Sequence, residues 1–133
     1  TIALVAGDLS AGDTIMLAPV PSNASVVSIK IFNDDLDSGS TVTMHVGLYT
    51  ADGNSTVVDI DAYASATTDL RAAVLTGTEV AFEARNVNKM GQRVWEDAGA
   101  SSDPGGHYFV GLETDAAGDT AGDLSFLITY IVD

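Results

Sequence analysis

The apolar residues of this chain recur every second position. Across residues 41–49, Val42, Met44, Val46 and Leu48 alternate with Thr41, Thr43, His45, Gly47 and Tyr49, the pattern of a half-buried antiparallel strand. Residues 25–32 divide the same way, with Val27, Ile29 and Ile31 on one face and Val26, Ser28, Lys30 and Phe32 on the other. Residues 107–114 align Tyr108, Val110 and Leu112. Residues 124–132 align Leu124, Phe126, Ile128, Tyr130 and Val132, leaving Leu127 and Ile131 on the opposite side. Shorter runs predict strands at 2–6, 14–17 (stopped by Pro19 and Pro21), 56–60 and 79–84.

The pattern changes twice. The Ala-rich stretch 61–74 does not alternate and is expected to hold a turn or two of helix. In 86–98, Val87, Met90, Val94 and Ala98 fall at helical spacing, Asn86 or Asn88 caps the start and Gly99 ends it. Gly91 weakens that helix by about 1 kcal/mol relative to Ala. The expectation is therefore an all-β chain: a jelly-roll-like antiparallel β-sandwich of about eight strands, with one short helix at about 86–98. It is read as one domain over 1–133, with 1–7 as an N-terminal arm or edge strand. The first residue is Thr, consistent with a trimmed initiator or leader.

Charge changes the picture more than size does. Five basic against nineteen acidic side chains give a net charge of −14, which would be repelled by a phosphate backbone and by an anionic membrane surface. Nucleic acid and membrane are therefore not expected as partners. With no cysteine, there are no disulfides, thiol nucleophiles or thiolate metal sites. Four of the five basic residues, Arg71, Arg85, Lys89 and Arg93, lie between 71 and 93. That polarity marks them, with Ile2 and Leu4 of the arm, as candidates for a protein interface. The competing reading pairs them with Asp69, Glu79, Glu83, Glu96 and Asp97, interspersed among them.

Candidate chemistry is thin. Asn33, Asp35, Asp37 and Gly39 alternate as in the first half of a calcium loop, but the twelfth position is Met44 where a bidentate Glu is needed. The loop is read as a solvated turn, and the acidic loop 115–123 as flexible. His45 and His107 belong to no metal-binding spacing, and no G-x-S-x-G elbow is present. Neither an enzyme nor a cofactor is expected.

The string AGDTIMLAPVPSNASVVSIKIFNDDLDSGSTVTMHVGLYTADG, followed by GQRVWEDAG and DPGGHY, resembles a family of small structural proteins of tailed bacteriophages. PSNA, NDDLD and VGLY carry the likeness most specifically. The resemblance implies a capsid decoration or cement protein, a homotrimer on the outer surface of the virion head. There it would bind the major capsid protein and brace neighbouring subunits, with no catalytic residue. A different class of function, a carbohydrate- or receptor-binding β-sandwich of a tail or adaptor, would use the 33–39 loop with calcium.

Overall fold

The alternating segments pair into two sheets. The computed structural model describes residues 1–54 and 56–133. Its strands are β1 (Ile2–Leu4), β2 (Thr14–Pro21), β3 (Ser25–Asn33), β4 (Met44–Tyr49), β5 (Val57–Thr67), β6 (Val74–Glu79), β7 (His107–Thr114) and β8 (Gly122–Ile131). One sheet runs β1-β8-β3-β6 and the other β2-β7-β4-β5, with every pairing antiparallel. Chain neighbours β1 and β2, β3 and β4, β5 and β6, and β7 and β8 lie in opposite sheets, which is the jelly-roll winding. Ile29 and Ile31 from one sheet face Val46, Leu48, Val110 and Leu112 from the other, all fully buried. Each such side chain contributes about 1.5–3 kcal/mol through removal from water.

Several boundaries differ from the expectation, each for a local reason. β2 continues through Pro19 to Pro21 because it is an edge strand of its sheet, where a missing N–H interrupts no ladder. The register of β3 on β8 shifts between Val26 and Ser28. This bulge turns Val26 into the core and leaves Val27 outside, so the faces expected for these two residues are exchanged. β4 begins at Met44 rather than 41, since the Asp37 carboxylate takes the N–H groups of Thr41 and Val42 at 2.7 and 2.8 Å.

β5 extends to Thr67, and only Asp69–Arg71 of the Ala-rich stretch is helical, as a 3-10 turn. Along β5, Asp59 faces Leu48 while Ala64 faces Val46. Five residues of β5 thus span two of β4, and the excess arches over Gly47. A Cβ there would overlap the carbonyl oxygens of Asp59 and Ile60. β6 lies five residues earlier than expected, and Val80 and Ala81 are buried in the turn after it.

The helix expected over 86–98 divides. Val87–Lys89 is a 3-10 turn capped by the Asn86 side chain, which accepts the Asn88 N–H at 3.1 Å. Gly91 then adopts a left-handed φ of 88°, and only Val94–Asp97 is α-helical (α1). Val87 and Met90 point to solvent while Val94 is buried, so no apolar stripe runs the length of the segment. Instead α1 is fastened through its backbone: the Val94 and Trp95 N–H groups donate to the carbonyls of Ala24 and Ser22 at 2.8 and 3.0 Å.

Candidate protein interface

The acidic loops at one end of the sandwich are fastened to each other. Asp119 accepts from both the backbone N–H and the hydroxyl of Ser38, each at 2.7 Å. The hydroxyls of Thr41 and Thr43 reach the Ala117 carbonyl and the Asp115 carboxylate, both at 3.3 Å. Leu36, in the middle of the 33–39 loop, is fully buried. The two segments therefore form one packed corner, in contrast to the solvated turn and flexible loop expected from composition.

Asn33, Asp35 and Asp37 do not converge within it. The Asn33 amide is turned inward and donates to the carbonyls of Asp34, Asp69 and Ala72. Asp35 accepts the Asp37 N–H at 3.1 Å. Asp37 accepts the N–H groups of Gly39, Thr41 and Val42, and these bonds, that from Val42 foremost, hold its carboxyl below the usual range. Among the described residues, no three His, Cys, Asp or Glu side chains are grouped to hold a metal ion. The histidines are apart in role as well as sequence: His45 Nε2 lies 2.7 Å from Asp115, while exposed His107 packs edge-on against Phe109 at 5.6 Å.

The basic segment does not present one charged face. Arg85 is buried, its guanidinium 3.0 Å from the Asp97 carboxylate and itself donating to the carbonyls of Val26 and Lys89 at 3.2 and 2.8 Å. It stacks between the rings of Phe82 and Tyr63, 5.1 and 5.6 Å from their centroids, and the Tyr63 hydroxyl reaches Asp97 at 3.4 Å. Burial pushes the Asp97 carboxyl up to about 6, against the pull of Arg85 and of the Tyr63 hydroxyl. The same burial raises the Tyr63 hydroxyl above its ordinary range. This cluster pins residues 80–98 across the sandwich, which removes Arg85 from the interface candidates.

Leu4 is also buried, and Ile2 is half-buried where β1 pairs with β8; the arm is an edge strand in cis. Arg71 spends its Nε on the Val42 carbonyl at 2.7 Å. Arg93 bonds the Asn23 carbonyl at 2.6 Å and pairs with Asp133. Of the four clustered cations, Lys89 is exposed, and Arg71 and Arg93 are partly so.

The surface that sequence reasoning missed is apolar. Val27 on β3, Leu127, Tyr130 and Ile131 on β8, and the adjoining Val132 are all exposed. A shallow cleft of about 270 Å³ opens nearby, lined by Phe32, Leu75, Ser125 and the acidic Asp34 and Asp123. The missed signal was in the last strand, where residues 126–128 and 130–132 are apolar without alternation. A strand apolar on both faces needs cover on both.

Polar side chains that hold the protein's own loops, and exposed apolar side chains near the end of one sheet, belong to an eight-stranded jelly roll. Comparison with solved structures finds the same fold in phage shells. One similar chain belongs to the cyanophage Pam1 capsid asymmetric unit, with TM-score 0.64 and 18% identity over 99% of this chain and 80% of that one. Another belongs to the capsid of Ralstonia phage GP4, with TM-score 0.64 and 18% identity over 98% and 81%. No protein-family model matches the sequence, and no curated protein does.

Proposed function

We propose that this protein is a structural, non-enzymatic component of a phage virion: a decoration or cement protein on the outside of the head. It binds the major capsid protein, associates with itself as a homotrimer, and braces neighbouring capsid subunits. The observation that carries this reading is the end-to-end likeness to chains of two phage capsids, which spans nearly the whole of this chain. The charge agrees with an exterior position: a domain at −14 is repelled by packaged nucleic acid. Many copies of one weakly binding module on a symmetric shell gain strength through multivalency.

The test is co-sedimentation of the purified protein with capsid shells that lack it. Retention at a fixed stoichiometry per capsid subunit, with shells that resist heat or dilution better once loaded, is the expected result. Shells that remain bare at saturating protein overturn the reading.

A further inference from the structure

Two carboxylates oppose each other at the end of the β3–β8 ladder. The register that sets Asn33 against Leu124 continues one step, to Asp34 against Asp123. The Asp34 N–H donates to the Asp123 carbonyl at 3.0 Å, and the Asp123 N–H to the Asp34 carboxylate at 2.8 Å. Like charges directly opposite across strands are destabilising, and among the described residues no cation lies within ion-pairing distance of either. Both line the cleft of about 270 Å³, together with apolar Phe32 and Leu75. Asn33 lines it too, its Oδ1 without a donor. Thr1 borders the cleft beside Ser125, and the β1 register directs whatever precedes Thr1 toward Phe126, away from both carboxylates. The cleft suits a cation carried on an apolar stem.

Such a group stands at the opposite end of the sandwich. Val87–Lys89 forms a 3-10 turn, closed by the Met90 N–H on the Val87 carbonyl at 3.2 Å. Side chains three apart in such a turn eclipse, so Val87 and Met90 stand side by side, 73% and 66% exposed. Lys89, between them in sequence, is exposed and makes no ion pair among the described residues. The backbone of the turn is held by the body of the domain. The Lys89 carbonyl accepts from the buried Arg85 guanidinium at 2.8 Å and from the Gln92 N–H at 2.9 Å. The Gly91 carbonyl accepts from the Ser25 hydroxyl at 2.9 Å. A turn fixed in this way loses little backbone freedom on docking.

We propose that Lys89 of one copy, with Val87 and Met90 beside it, enters the cleft formed by Asp34, Asp123, Phe32 and Leu75 of a second copy. A second copy fits because a chain at −14 offers few places where copies attract. This contact joins an unpaired cation to two uncompensated carboxylates and apolar side chains to apolar side chains. Ser25, which holds Gly91, begins β3, and Asp34 follows its last residue, so turn and cleft are separated by the strand, roughly 27 Å at strand rise. No copy can fill its own cleft. The contact is heterologous: each copy gives the turn to one neighbour and the cleft to another. Closed on itself it makes a ring, and three copies make the homotrimer of the reading above, on whose self-association this inference rests.

Lys89 and Asp123 are both exposed, so reversing either charge should not lower the melting temperature. In light scattering over a concentration series, Lys89→Glu and Asp123→Lys should each reduce the mass from three chains to one. The double variant Lys89→Glu/Asp123→Lys restores opposite charges across the contact and should return the mass to three chains. The chain has no cysteine, so introduced thiols report the contact directly. A short bis-maleimide should join Lys89→Cys to Asp123→Cys in a mixture roughly tenfold faster than it joins either variant to itself, since like positions do not meet in a heterologous contact. A three-chain mass indifferent to both reversals overturns this contact and leaves the homotrimer standing. A double variant that stays at one chain also overturns it, as does equal linking of like and unlike thiol variants. A parent at the mass of one chain at every concentration overturns the contact and the homotrimer together. A Lys89→Glu protein that is monomeric yet still loads shells supports the contact and separates it from decoration.

Discussion

Removing the Asp97 carboxylate leaves a guanidinium in the interior without its counter-ion, and that is the most exacting test of how residues 80–98 are held. In Asp97→Ala, Arg85 keeps its bonds to the Val26 and Lys89 carbonyls and its place between Phe82 and Tyr63. It loses the carboxylate at 3.0 Å, and its Nε already lacks an acceptor. Breaking a buried pair by deleting one partner costs about 3–5 kcal/mol. Because two hydrogen bonds and both ring contacts survive, the lower part of that range is expected, a fall in melting temperature on the order of 10 °C for a domain of this size. The companion variant Tyr63→Phe/Arg85→Met/Asp97→Leu removes all three polar groups and keeps the volume. It should return to within about 1 kcal/mol of the parent, since a buried ion pair contributes little over an apolar replacement. Urea denaturation followed by tryptophan fluorescence measures both, Trp95 lying within the helix that Asp97 closes. A loss under about 1 kcal/mol for Asp97→Ala would mean that water screens the pair, and the anchoring role assigned to Arg85 would be wrong.

Four further outcomes follow from other parts of the structure. Gly47→Ala forces a methyl group against the Asp59 and Ile60 carbonyls. It should destabilise by about 3 kcal/mol or more, at the upper end of overpacking losses, and be seen as a lower urea midpoint. Burial and the neighbouring Asp69 push the Glu83 carboxyl up to about 7. A raised carboxyl stabilises fully below its unfolded value and loses that contribution as pH rises through the folded one, so Glu83→Gln should flatten the decline in melting temperature between pH 4.5 and 7. The Asp37 carboxyl is held low, so its contribution is present above the unfolded value and lost on acidification. Millimolar Ca²⁺ should leave the melting temperature of the parent unchanged because Asn33, Asp35 and Asp37 are each engaged elsewhere; a clear rise would return the calcium-dependent sandwich to consideration.

Alternation was enough to find the strands that build the core, because Val46, Leu48, Val110 and Leu112 are buried by the same periodicity that identifies them. What it could not convey was anything set by a partner strand. The prolines of β2 read as a stop, and only its position at the edge of a sheet makes them tolerable. The bulge at Val26–Ser28 inverts two residues without any local sign such as glycine. Arg85 looked like a surface cation because its counter-ion lies twelve residues away on α1, and no helical or strand spacing brings the two together. The acidic loops looked loose because Ser38 and Asp119, eighty-one positions apart, close them.

The distribution of charge sets the last strand apart from the rest of the chain. Nineteen acidic side chains on a chain this size would disfavour association anywhere they were evenly spread. They are not evenly spread: Asp37, Asp115 and Asp119 gather in the packed loop corner, whereas strand residues 124–132 carry none. Lys30 stands between Leu127 across the β3–β8 ladder and Glu79 across the β3–β6 ladder, the carboxylate of Glu79 being taken by the Ile29 and Ala81 N–H groups.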